Sequence, residues 1–155
     1  MGGYITSTEL VCDAIRSYAS GFIFTTALPP ALAKSATTSI KYLKESNAER
    51  LLQKENTICL KSYLKKANIP FLDNGTHIVP VMVKNPIKCK EISNILLNEF
   101  GHYIQPINYP TVPAGSERLR ITPGPLHTEK MISELTDALK HAFKQTENID
   151  YKNLS

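Results

Sequence analysis

The sequence predicts an α+β fold: a small, largely antiparallel sheet covered by helices on one face, following a remnant of a larger α/β domain. Three observations lead there. From about residue 70 the patterns run strand, helix, strand, strand, helix. Residues 1–30 hold a short helix and an apolar strand that this order does not absorb. Residues 31–69 read as a long helical connection between the two.

Each element follows from local chemistry. Gly2-Gly3-Tyr4-Ile5 sets two glycines where a bend or close backbone approach is expected. Thr8 is placed to cap a helix over 9–18, with Leu10, Val11 and Ile15 on its apolar side. Phe22-Ile23-Phe24-Thr25-Thr26 is aromatic and β-branched and reads as a strand stopped by Pro29-Pro30. Over 31–67, Ile40, Leu43, Leu51, Leu52, Ile58, Leu60 and Leu64 recur near helical spacing, with a break at Ser46-Asn47. Asn74-Gly75 signals a turn, and 77–83 is a strand whose Pro80 belongs near an edge or start. The next helix, 86–100, turns Ile92, Ile95, Leu96 and Leu97 inward and stops at Gly101, before a strand over 103–108. Thr128 caps a last amphipathic helix carrying Met131, Ile132, Leu135, Leu139 and Phe143. The small domain then spans 70–146, and a polar, frayed tail runs from Thr146 through 147–155.

Composition excludes several classes. An apolar share of 42% and a charged share of 21% belong to a soluble globular chain rather than a disordered one. No apolar run approaches the roughly 20 residues that span a bilayer, and residues 1–6 carry no secretory pattern. The net charge of +4 is mild, and the lysines at 41, 44, 54, 61, 65 and 66 alternate with glutamates, as on a solvated helix rather than a nucleic-acid surface. Cys12, Cys59 and Cys89 are odd in number and lack metal-ligand spacing, so they read as small buried hydrophobes in a reducing cytoplasm, with no metal expected. His77, His102, His127 and His141 lie near element ends and read as structural or exposed rather than as general bases. Tyr4, Tyr18 and Tyr109 read as amphipathic packing residues, with Tyr109 also placed to line a substrate entrance.

Residues 105–125 hold most of the chemistry. Pro106, Pro110, Pro113 and Gly115 shape a loop that cannot become a helix. It leads into Arg118-Leu119-Arg120-Ile121, whose alternation turns Leu119 and Ile121 to a core and both arginines away from it. A rigidly held guanidinium suits a small carboxylate, which it grips bidentately. The same alternation also fits an ordinary solvated arginine face, which is the commoner case.

Four blocks, in order, resemble the C-terminal part of the α-oxoamine synthases, fold-type I enzymes that use pyridoxal 5′-phosphate. They are Gly2-Gly3-Tyr4-Ile5, residues 16–30 ending in Thr25-Thr26-Ala27-Leu28-Pro29-Pro30, Asp73-Asn74-Gly75-Thr76-His77-Ile78-Val79-Pro80-Val81, and residues 105–125. Gln105-Pro106-Ile107-Asn108-Tyr109-Pro110-Thr111-Val112-Pro113 points to the members that condense glycine with succinyl-CoA to 5-aminolevulinate, CoA and carbon dioxide, for heme and other tetrapyrroles. The resemblance implies that Arg120 holds the substrate carboxylate and that Arg118 supports structure or a lid. Thr111 would be the lid residue on the succinyl carboxylate, and Thr25, with Thr26 beside it, would reach the cofactor phosphate of a neighbouring subunit in a homodimer. Ala114 stands where the family usually has arginine, removing an ionic latch, and Gly124 stands for a serine or threonine, loosening its turn.

The resemblance also implies that the Schiff-base lysine lies just upstream of Gly2, so that no catalytic residue is expected in this chain, which would be inactive alone unless an N-terminal half complements it. Lys34 reads as no more than an accessible amine. Two other readings stay open: a non-catalytic interaction module that pairs with a full-length synthase, and a fragment of another member, such as 2-amino-3-ketobutyrate CoA ligase, serine palmitoyltransferase or 8-amino-7-oxononanoate synthase. Phe22, Ile23, Phe24 and Leu28 are expected to be exposed, favouring non-specific association.

Overall fold

A computed structural model describes residues 3–148. Gly2 and the tail residues 149–155 therefore lie outside the described residues. The chain divides into two compact units, Met1–Asn47 and Ala48–Ser155.

The first unit is helical: α1 (Glu9–Tyr18), α2 (Ser20–Ile23) and α3 (Pro30–Glu45). The bounds of α1 are those the sequence predicts, but Thr8, though at the N-cap with extended backbone, makes no side-chain capping bond. The expected strand over 22–26 is not formed. A strand needs a neighbour to take its backbone hydrogen bonds, and the described residues of this unit contain none. The N–H groups close locally instead, Phe22 and Ile23 onto the Ala19 carbonyl at 2.9 and 3.0 Å and Phe24 onto Ser20 at 3.1 Å. Phe22, Ile23, Phe24 and Leu28 are exposed, as expected.

The second unit holds α4 (Ala48–Lys66), β1 (Val79–Met82), α5 (Pro86–Phe100), β2 (Gln105–Ile107), β3 (Arg118–Ile121) and α6 (Glu129–Gln145), in the predicted order. The strands form one antiparallel sheet in the order β1-β3-β2. Pro80 sits on the edge strand β1, as expected; on its outer side the Pro80 carbonyl accepts the Leu72 N–H at 2.9 Å, beside a single bridge between Phe71 and Val81. At the start of α5 the Asn85 side chain accepts from the N–H groups of Ile87 and Lys88 at 3.0 and 2.9 Å, and Gly101, at φ 72°, closes its end in the left-handed region. Leu64, Val81, Ile92, Leu96, Leu119 and Leu139 centre the core.

Four details depart from the sequence reading. Ile92, Ile95 and Leu96 complete the buried stripe of α5, so Leu97, one position further round, is 46% exposed. Met131 is likewise exposed, whereas Ile132 and Leu139 are buried as expected and are joined on that face by Ala138 and Ala142. Of the cysteines only Cys89 is buried, while Cys12 and Cys59 are half-buried. Thr146 is buried rather than frayed, its hydroxyl donating to the Ala142 carbonyl at 2.8 Å. No helix among the described residues is long and apolar enough to cross a membrane.

Candidate carboxylate site

β3 is the middle strand, so its side chains are positioned from both sides. Arg120 faces Pro80 on β1 and Gln105 on β2. Leu119 and Ile121 are buried beneath it and Arg120 is exposed on the opposite face, as the alternation predicts. The two arginines differ. Arg118 is half-buried and spends its Nε donor on the Ser116 carbonyl at 2.8 Å. Arg120 has no hydrogen-bond or ion-pair partner among the described residues. A guanidinium with five free donors on a rigid strand is preorganised for an anion.

Beside it lies a cavity of about 380 Å³, bounded by Arg120, Gln105, Tyr103, Thr122, His127 and Met131. The Tyr103 hydroxyl donates to Gln105 Oε1, fixing that amide. His127 Nδ1 accepts the Gly124 N–H at 2.8 Å, so the neutral ring carries its proton on Nε2, a second donor at the cavity. His127 is thus a hydrogen-bonding residue, as read from sequence.

The turn that follows β3 is fastened to α4. Asn56 Nδ2 donates to the carbonyls of Gly124 and His127 at 2.9 and 2.7 Å, and Gln53 Nε2 donates to Pro123 at 3.3 Å. Gly124 is therefore held at both its N–H and its carbonyl. Sequence reasoning missed Gln53 and Asn56. Their signal was available: they interrupt the stripe that continues through Leu60 and Leu64, and polar residues on a core-facing stripe need a partner.

The other candidates lie elsewhere. Thr111 is exposed in the loop between β2 and β3, its N–H donating to the Asn108 carbonyl at 3.0 Å, and Tyr109 and Ala114 are exposed in the same loop. Thr25 and Thr26 belong to the first unit, on exposed backbone after α2, and Lys34 lies on an open face of α3 with Ser35 and Thr38. Every lysine among the described residues is exposed or half-buried. Arg120, free on its strand beside the cavity, has the donor geometry that a carboxylate takes. Beneath the loop, burial pushes the Cys89 thiol up to about 11, with the Glu117 carboxylate adding to the rise and a backbone hydrogen bond at Ile107 opposing it.

The family model for aminotransferase class I and II matches residues 1–139. The chain belongs to that family. Within it, the chain is similar to 5-aminolevulinate synthase of Rickettsia prowazekii (strain Madrid E), 54% identical over 145 residues that make up 94% of this chain and 35% of the relative. It is 58% identical over 139 residues to 5-aminolevulinate synthase of Rhizobium meliloti (strain 1021), covering 90% of this chain and 34% of the relative. The chain thus spans about a third of the length of the curated relatives it matches. Among solved structures it resembles serine palmitoyltransferase of S. paucimobilis with pyridoxal phosphate and myriocin bound, with a TM-score of 0.76 at 28% identity over 88% of this chain and 35% of that one. It shares its fold with 8-amino-7-oxononanoate synthase of Francisella tularensis, with a TM-score of 0.74 at 20% identity over 91% of this chain and 41% of that one. The family and its solved members point to pyridoxal 5′-phosphate as cofactor.

Proposed function

We propose that the chain is the C-terminal third of a 5-aminolevulinate synthase, which condenses glycine with succinyl-CoA. Identity above half over most of the chain supports the synthase reading. One observation carries the role of the site: an unpartnered guanidinium on the middle strand, beside a cavity, while its neighbour Arg118 is engaged. In this reading Arg120 grips the substrate carboxylate bidentately and fixes its orientation, with His127 Nε2 as an adjacent neutral donor. Thr111 sits on the loop that closes over the acyl donor and excludes water. Thr25 and Thr26 offer hydroxyls to the cofactor phosphate across a homodimer, or to a complementing N-terminal half. Pyridoxal 5′-phosphate, when bound, supplies the electron sink that a glycine carbanion requires. Its covalent lysine is assigned to polypeptide outside this chain, so the chain alone is inactive. Residues 1–30 then belong to the large cofactor-binding domain, 31–69 to the connection and 70–146 to the small domain.

The test compares Arg120→Lys with Arg118→Lys in the complete enzyme. Losing a bidentate charged contact lowers kcat/KM for glycine by about 10- to 100-fold in Arg120→Lys. Arg118→Lys leaves it nearly unchanged. Equal losses would remove the carboxylate role from Arg120.

A further inference from the structure

Two buried side-chain atoms lack a hydrogen-bond partner among the described residues, Asn108 Oδ1 and Glu117 Oε2. They meet. The ladder pairs Gln105 with Arg120, Pro106 with Leu119 and Ile107 with Arg118, so the next facing positions are Asn108 and Glu117. Residues facing across an antiparallel pair project to the same side, with Cβ atoms about 4.5–5.5 Å apart. Glu117, two positions from Leu119, shares its inward face and is 2% exposed.

Every other polar atom of the two side chains is engaged. Asn108 Nδ2 donates to the Pro86 carbonyl at 3.0 Å, and Glu117 Oε1 accepts the Gly115 N–H at 3.0 Å. Turning the Asn108 amide over would offer Nδ2 to Glu117 but set Oδ1 against the Pro86 carbonyl, moving the defect without removing it. Both orphaned atoms are acceptors, and a single donor between them satisfies both.

We propose that Asn108 and Glu117 form a latch across the neck of the 108–117 loop, closed by one shared hydrogen-bond donor, and that they are positioning residues for Thr111. The donor is a water held between the two oxygens, both of which accept. That water completes a run from the Gly115 N–H through Glu117 and Asn108 to the Pro86 carbonyl, tying the loop's far end to the first turn of α5. The role of Thr111 rests on the proposed function; the latch does not.

The test sets Glu117→Gln against Glu117→Leu in the 155-residue chain. Glutamine keeps an acceptor for the Gly115 N–H and brings its own donor to Asn108 Oδ1, so Gly115 amide protection is maintained or increased. Leucine supplies neither, and Gly115 exchange accelerates about 10-fold or more. Asn108→Asp, which opposes two carboxylates and leaves the Gly115 acceptor in place, also opens the loop to proteolysis within 109–114. Equal exchange in the glutamine and leucine variants, or an unchanged loop in Asn108→Asp, overturns the latch. In the complete synthase, Glu117→Leu raises KM for the acyl donor and not for glycine, and Glu117→Gln restores it. A loosened loop with unchanged acyl-donor KM would leave the latch standing and overturn its positioning of Thr111.

Discussion

The two units obey the same local rules and reach different ends. In the first, α1 and α3 are well-formed helices of 10 and 16 residues, yet neither buries a residue or receives a side-chain cap. In the second, α5 and α6 are capped by Asn85 and Thr128 and bury five residues each, so local signals and packing agree. Helix propensity and periodicity suffice to set where a helix runs; stability needs an opposing surface. The second unit supplies that surface from a three-stranded sheet, and the rigid middle strand that results holds Arg120.

Truncating the core breaks the comparison most strongly. Leu119, fully buried on β3, should cost about 2–5 kcal/mol when replaced by alanine, through lost transfer energy and the cavity left behind. Leu10→Ala, at a position 84% exposed on α1, should stay within about 0.5 kcal/mol. Denaturant unfolding of the two variants measures the contrast, and equal costs would mean that α1 buries its apolar side in solution. The caps make a smaller version. Asn85→Ala removes two hydrogen bonds and should cost about 1 kcal/mol, whereas Thr8→Ala removes none and should cost close to nothing.

The contrast also explains what the sequence revealed. Elements whose signal is local were legible: the bounds of α1 and α5, the stop at Gly101, and the alternation that separates Leu119 and Ile121 from the arginines. The segment 22–26 was misread because β-branched and aromatic residues describe a pleated, half-buried surface, and the described residues of this unit contain no strand to form one. That Arg120 is free and Arg118 engaged could not be read from composition, because both alternate identically; the difference lies in a contact with Ser116 two residues away. The Asn108–Glu117 pair was hidden for another reason. It exists only once the β2–β3 register is fixed, and the shaped loop between them does not declare that register.

Thiol chemistry sharpens the comparison with pH. Cys89 in the second unit is fully buried and its thiol is raised to about 11, whereas Cys12 in the first is half-buried. Alkylation near neutral pH should therefore modify Cys12 well before Cys89. A group whose folded value is raised stabilises the fold fully below its unfolded value. That contribution fades as pH climbs from the ordinary thiol value of 9.0 through about 11. Cys89→Ala should remove this alkaline component from the unfolding profile while Cys12→Ala leaves it; an unchanged slope in Cys89→Ala would assign the alkaline loss to other groups.

The smallest effect separates the units by which observable responds. A methyl group on Gly124 would meet only the His127 ring, at 3.9 Å, an ordinary contact. Its N–H and carbonyl bonds to His127 and Asn56 would remain. Gly124→Ala should therefore stabilise the second unit by about 0.4–1 kcal/mol, chiefly by narrowing the unfolded ensemble, and raise its melting temperature. Gly21 lies within α2 with open space around it, so Gly21→Ala gains helix propensity of similar size. With no buried residue in α2 to couple that gain to a packed core, it should appear as added helical circular dichroism while the melting temperature stays where it was. A matching rise in melting temperature from Gly21→Ala would show that the first unit unfolds together with the second, and that the division at Asn47 is not a thermodynamic one.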